Sequence, residues 1–155
     1  MTSVDLLDIL DRARAPYELI PHAPTRTARD EADELGLGLD AVAKTIVVHT
    51  PAGSIRTVLP AARRLDLHRL RAALGLRGKV QLATEDDLAR EYPEFELGST
   101  PPLGGAHADR VLVDSCLVDQ ELVVLEAGSH RCSLRMRPSD LVAAAGAEVA
   151  EICRD

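Results

Sequence analysis

Aromatic side chains are almost missing from this sequence: Tyr17, Tyr92 and Phe95 are the only three, and there is no tryptophan. The core must then be built from Leu, Val, Ile and Ala. With no aromatic surface on which successive bases could stack, a single-strand platform of the OB or RRM kind is disfavoured. Lysine is scarcer still, with Lys44 and Lys79 alone beside 16 arginines. Positive charge is in deficit overall. The net charge of −7 speaks against broad, sequence-blind binding to a nucleic-acid backbone, while leaving room for a local contact with one or two phosphates. The cysteines, Cys116, Cys132 and Cys153, are odd in number and have no CxxC spacing, so neither a disulfide framework nor a zinc ribbon is indicated. A reduced, cytoplasmic setting is the simplest expectation. No stretch approaches the roughly 20 apolar residues needed to cross a bilayer. The first residues, MTSVDLLDILDR, are acidic and amphipathic, unlike a signal peptide.

What is present fits one globular domain over residues 1–155, with an apolar share of 46%. Val4, Leu6, Leu7, Ile9 and Leu10 mark a short amphipathic helix ending near Arg14, and Tyr17–Ile20 reads as a strand. Thr27 and Asp30 resemble a capping box for a helix that stops at Gly36-Leu37-Gly38. The runs AVAKTIVVHT and IRTVLPAA, joined by Pro51-Ala52-Gly53-Ser54, predict a hairpin. Asp66 caps a helix through Leu74, KVQLA is a short strand, and Thr84 with Asp87 caps another helix through about Tyr92. Gly98–Gly105 is a Gly/Pro loop. VLVD, ELVVLEAG and CSLRMR are three more strands, and Pro138 opens a last helix running through DLVAAAGAEVAEI. Strands interleave with helices but several are joined by short turns. This predicts a mixed, largely antiparallel sheet with surrounding helices, an α/β (α+β) fold rather than a doubly wound one.

Lys44, near the start of a strand that should be buried, is the most informative single residue. An ammonium there either reaches a cleft or an anion, or snorkels to solvent. The loop LGSTPPLGG can present backbone N–H groups to an anion or carbonyl oxygen, and it equally reads as a surface turn. The histidines include no pair at metal-ligand spacing, and His107, Asp109, Asp114 and Cys116 form only a weak candidate metal group. Cys116 and Cys132 read as small core hydrophobes. Arg63, Arg64, Arg69, Arg71, Arg77 and Lys79 surround one helix; they make a solvated face or a landing area for an acceptor stem.

In order and spacing, the PYELIPH strand with His22, the helix DEADELGL, the lysine-bearing strand AKTIVV, the loop GSTPPLGG and the closing VLVDSCL and LEAGSHRCSLRMRPSDL resemble the YbaK/EbsC family of aminoacyl-tRNA editing domains. The loop fits the family's Gly-x-x-x-Pro motif through Gly98 and Pro102. The resemblance implies hydrolysis of the ester that joins a wrongly attached amino acid to the tRNA 3′ end; the lack of a ligand cluster or redox pair in the sequence adds the expectation of no cofactor or metal. It implies that Lys44 holds a phosphate or ribose of the terminal adenosine. The backbone from Gly98 to Pro102 would bind the aminoacyl carbonyl and position water. His22, Thr45, Ser99, Thr100, Pro101, Gly104, Gly128, Ser129 and His130 follow as substrate-binding positions. The implied partner is the acceptor end of mischarged tRNA, with an aminoacyl-tRNA synthetase as a further candidate, no membrane, and a monomer or weak homodimer. Pro101 doubles the family's proline, Leu103 replaces a common Phe, and Thr45 follows the lysine as in the YbaK-like branch. These departures leave the specificity at a small side chain: alanine, cysteine, serine or proline, on tRNA-Pro or a related tRNA. The competing reading is a pocket of the same fold that binds an aminoacyl or nucleotide ligand without turnover.

Overall fold

The computed structural model describes residues 4–25, 28–104 and 109–155. In chain order the elements are α1 (Val4–Arg12), β1 (Tyr17–Pro21), α2 (Ala28–Leu35), a 3-10 turn at Leu39–Ala41, β2 (Ala43–Thr50), β3 (Gly53–Pro60), β4 (Arg64–Leu65), α3 (Leu67–Leu74), β5 (Gln81–Leu82), α4 (Glu85–Glu91), β6 (Arg110–Asp114), α5 (Ser115–Val118), β7 (Val123–Ser129), β8 (Cys132–Met136), α6 (Pro138–Ala145), β9 (Glu148–Ala150) and β10 (Cys153–Arg154). Five strands form one sheet in the order β5-β2-β3-β6-β9; β1-β8-β7 form a second, and β10 pairs with β4. The hairpin β2–β3, the β2–β5 pair and the whole β1-β8-β7 sheet are antiparallel, while β3–β6 and β6–β9 are parallel. A single bridge, Val42 to Val124, ties the two larger sheets together. The expected mixed α/β fold is what forms.

Local chemistry explains most boundaries. Asp66 accepts the amides of His68 and Arg69 to start α3, and Gly75 ends it in the left-handed region. Thr84 and Asp87 close a capping box on α4. The capping box expected at Thr27 lies outside the described residues. One expectation fails: the last helix does not run to Ile152. Gly146 adopts φ 60 and stops α6, and Glu148–Ala150 then adds to the sheet edge beside β6. Buried Asp114 fixes this return, accepting from the amide of Cys116 at 2.9 Å and of Ile152 at 3.0 Å.

Strand alternation splits the core in two. Ile46, Val48 and Leu59 face one side with Leu70 and Ile152, under α3. Val58 faces the other, joining Leu6, Leu10, Leu125, Leu134 and Leu141 in a second core. Val47 on that same side of β2 packs with Tyr92 and Phe95, so two of the three aromatics sit behind α4.

Candidate functional site

The Gly/Pro loop is held by its carbonyls. Leu97 O accepts from His130 Nε2 at 2.6 Å, Ser99 O from the amide of Gly128 at 3.0 Å, Pro101 O from Arg56 at 3.1 Å and Gly104 O from Arg56 at 2.6 Å. The N–H groups of Gly98 and Thr100, by contrast, donate to no atom among the described residues. A loop with four of its carbonyls held and the N–H groups of Gly98 and Thr100 open, while that of Ser99 donates to Glu96 O, suits an oxygen that develops negative charge. Two glycines are required for it. Gly98 has φ 86 with a would-be Cβ 3.4 Å from the His130 ring, and Gly104 has φ 90 with a would-be Cβ 3.2 Å from the Leu6 backbone. His130 Nε2 donates to Leu97 O, and the Cε1–Nε2 edge of its ring lies against Gly98.

Arg56, which sequence reading passed over, is the loop's anchor. It is 1% exposed, donates to Asp109 at 3.0 Å as well as to the two loop carbonyls, and its guanidinium lies 4.9 Å from the centre of the Tyr92 ring. Tyr92 in turn donates to Asp109. Asp109 is therefore committed to Arg56 and Tyr92 rather than available to a metal, and His107 lies outside the described residues.

Behind the loop stands a buried polar chain. His22 Nδ1 donates to Ala23 O at 2.7 Å, and its Nε2 is 2.8 Å from Ser133 Oγ, which also bonds Glu31. With one hydroxyl proton to give, Ser133 serves the chain in two ways: it donates to a neutral His22 while a protonated Glu31 donates to it, or the proton sits on His22 and Ser133 donates to the carboxylate. Burial raises the Glu31 carboxyl above its ordinary value, against the opposing pull of the Ser133 bond and of the neighbouring His22 and His130. Its other oxygen is buried with no hydrogen-bond partner among the described residues. Glu126, the cross-strand neighbour of Ser133, is pushed well above the ordinary range by burial and, secondarily, by Glu31.

This has a measurable result. A raised value means that folded Glu126 keeps a proton the unfolded chain has released. The stability it contributes is complete below the ordinary value of 4.5 and is lost as pH rises through the folded value. Glu126→Gln is neutral at every pH. In paired thermal melts it should be nearly equal to wild type at about pH 4.5 and more stable by about 1–3 kcal/mol at about pH 8. A difference that does not change with pH would contradict this.

Lys44 and Thr45 point to opposite sides of β2. Thr45 pairs with Val58 and lies on the side of Arg56 and the loop; Lys44 pairs with Leu59 and lines a cavity of about 540 Å³ with Arg64, Asp66, His68, Leu82 and Arg154. Among the described residues, none of the loop lines that cavity. The two sides meet at the outer edge of β2. There β5 pairs only Val48 and His49, Ala83 reaches Val47, and β7 runs alongside β2, bridged to the chain at Val42 just before it. Burial lowers the Lys44 ammonium below the ordinary lysine value, and Arg64 pushes it the same way.

Of the other expected substrate positions, Ser99, Thr100, Pro101, Gly128 and Ser129 are buried around the loop. Ser99 Oγ donates to Glu96 O, and Ser129 Oγ accepts from the amide of Arg131. Pro102 is buried as well and makes no hydrogen bond among the described residues. Among the described residues, His49, Asp87 and Glu91 could hold a metal ion, their ligand atoms lying within 4.8 Å of one another. As they stand, His49 Nε2 meets Glu91 at 2.9 Å and Nδ1 lies 3.7 Å from Asp87, so the ring is occupied by two carboxylates. The cysteine expectation needs correcting. Cys116 and Cys132 are half-buried, and Cys153 is the one in the core. Burial and Asp114 raise the thiols of Cys116 and Cys153, the latter to about 12, which disfavours a thiolate nucleophile.

The pattern of the aminoacyl-tRNA editing domain matches residues 22–144. Among solved structures, one described as a candidate trans-editing enzyme for prolyl-tRNA synthetase superposes with a TM-score of 0.85 at 23% identity, covering 97% of this chain and 96% of its own. The hypothetical protein APE2540 reaches 0.88 at 25% identity over 97% and 99%. A candidate signal transduction protein from Marinobacter aquaeolei VT8 carries the same fold within a longer chain: TM-score 0.75, 17% identity, all of this chain and 31% of that one. No helix of the described residues is long and apolar enough to cross a membrane.

Proposed function

The chain belongs to the aminoacyl-tRNA editing domain family, and on that premise we propose that it is a trans-acting deacylase that hydrolyses the ester of a small amino acid on mischarged tRNA. The observation that carries this reading is the loop with its carbonyls held and the N–H groups of Gly98 and Thr100 open. The aminoacyl carbonyl oxygen binds those two donors. Water attacks the carbonyl carbon, the oxyanion gathers at the loop, and the ester C–O bond breaks with the ribose oxygen leaving as a hydroxyl. The water's proton passes to the neighbouring ribose hydroxyl, which hands its own proton to the leaving ribose oxygen. An aminoacyl ester is already activated, so positioning and carbonyl polarisation supply much of the barrier reduction. Thr45, on the loop's side of β2, lines the approach of the side chain. Lys44 holds a phosphate of the terminal nucleotide across the open edge of the strand.

The neighbour linked to prolyl-tRNA synthetase makes tRNA-Pro the first substrate to try, with a synthetase as a partner and the protein acting as a monomer or weak homodimer. The test is deacylation of tRNA-Pro and related tRNAs charged with alanine, cysteine, serine or proline. Hydrolysis of at least one small ester is expected. Gly98→Ala, which forces a side chain into positive φ against His130, should lower its kcat/KM by about tenfold or more. Binding of charged tRNA with no turnover of any ester would leave the non-catalytic pocket as the answer.

A further inference from the structure

The cavity that Lys44 lines holds more positive charge than one lysine. Arg64 and Arg154 line it too, and they stand directly opposite one another in the β4–β10 pair. Like charges at directly opposed positions of an antiparallel pair repel. None of Lys44, Arg64 and Arg154 has a hydrogen bond or an ion pair through its side chain among the described residues. The one carboxylate present, Asp66, is committed elsewhere: it caps α3 through the amides of His68 and Arg69 and lies 3.7 Å from the Arg69 guanidinium. Three cations thus converge around one carboxylate, Asp66, which Arg154 and Arg69 share, in a chain whose net charge is −7. His68 stands at the rim, and Leu82, 52% exposed, offers an apolar wall on the side of β5.

We propose that Arg64 and Arg154, with Lys44, form a phosphate-binding subsite that takes backbone phosphates of the tRNA acceptor strand, with a ribose or base against Leu82. This rests on the deacylase reading above and extends it from one lysine to a receptor for the strand. From this cavity the 3′ end passes β2 near Lys44 and brings its ester to the loop. The subsite binds and orients; it takes no part in bond breaking.

Arg64→Gln with Arg154→Gln is the variant to make. Both arginines are exposed, and removing an opposed like-charge pair should leave the melting temperature equal or higher. With mischarged tRNA, KM should rise about ten- to a hundredfold while kcat at saturation stays near wild type. The slope of log KM against log salt should flatten by about 0.7 for each phosphate that is no longer neutralised. A merely structural role would not move that slope. The trinucleotide CCA should bind wild type more tightly than the double variant, and more tightly than inorganic phosphate or AMP binds wild type. Wild-type KM and an unchanged salt slope in the double variant would overturn the subsite. Equal binding of phosphate and CCA would overturn its assignment to the acceptor strand, in favour of a small-anion site. If wild type hydrolyses no mischarged tRNA, the deacylase reading fails by itself, and the CCA titration still decides the subsite.

Discussion

Arg56→Met should cost about 3–5 kcal/mol of stability, the largest single loss expected anywhere in this molecule. The variant removes the donor to Pro101 O and Gly104 O and strands the Asp109 carboxylate in a nearly closed environment. Most of the loss comes from the partners left behind, since an unpaired buried charge is far more costly than a buried pair. At this chain length the melting temperature should fall by roughly 10–15 °C. Arg56→Lys should recover little, because a point ammonium cannot serve a carboxylate and two diverging carbonyls as the planar fork does. Adding Asp109→Asn to Arg56→Met should restore part of the stability by removing the stranded charge. Activity needs a separate measurement well below both melting points. The folded variant should still be impaired, because the loop from Pro101 to Gly104 has lost its anchor. An Arg56→Met protein that melts within about 1 kcal/mol of wild type would show that the loop is held by other means.

Arg56 also shows where sequence reading stops. In IRTVL it is one polar residue in an alternating strand, as compatible with the solvent side as with the interior. What decides its side is Asp109, 53 residues further on, together with the carbonyls of a loop that closes over it. The caps at Asp66 and at Thr84 with Asp87 were legible because donor and acceptor are two or three residues apart. The loop was legible for the same reason: its glycines and prolines punctuate locally. The alanine-rich C-terminal run was not. Its composition favours helix throughout, while a single left-handed residue at Gly146 and a parallel pairing with β6 decide the outcome. Lys44 lies between these cases. Its place near the start of β2 followed from pattern, but the side it faces depends on pairing with Leu59, and the arginines it meets come from β4 and β10. Glu31, Glu126 and Ser133 gave no signal at all, because only the β7–β8 register and the packing of α2 bring them together.

Lys44→Ala is expected to lose about 1.5–3 kcal/mol of transition-state binding, roughly ten- to a hundredfold or somewhat more in kcat/KM, the range for a charge-assisted hydrogen bond. The ammonium is half-buried, makes no ion pair among the described residues, and sits near Arg64. Its removal should therefore leave stability unchanged or raise it, the reverse of Arg56. Lys44→Arg should not rescue activity. A longer planar group would enter a cavity that already holds two guanidinium groups, and it cannot occupy the place of a compact charge. Single-turnover deacylation with thermal melts on wild type and both variants makes the comparison. Wild-type rates in both would reduce Lys44 to a lysine that snorkels from a strand.

The loop is gripped along its whole length: by His130 and Gly128 at one end, by Arg56 in the middle, and at Gly104 by the backbone of α1 pressing to within 3.2 Å of any added carbon. A wall fixed in this way cannot close more tightly around a favoured guest. It can only turn away guests that are too large. For a deacylase of the proposed kind, selection is then a sieve, and a sieve passes everything smaller than its mesh at a rate that falls by only about 1–3 kcal/mol per missing methylene. A correctly charged tRNA carrying an equally small amino acid would fit as well as an incorrect one. What spares it must be written in the tRNA itself, or in whatever carrier holds that tRNA before the sieve can reach it.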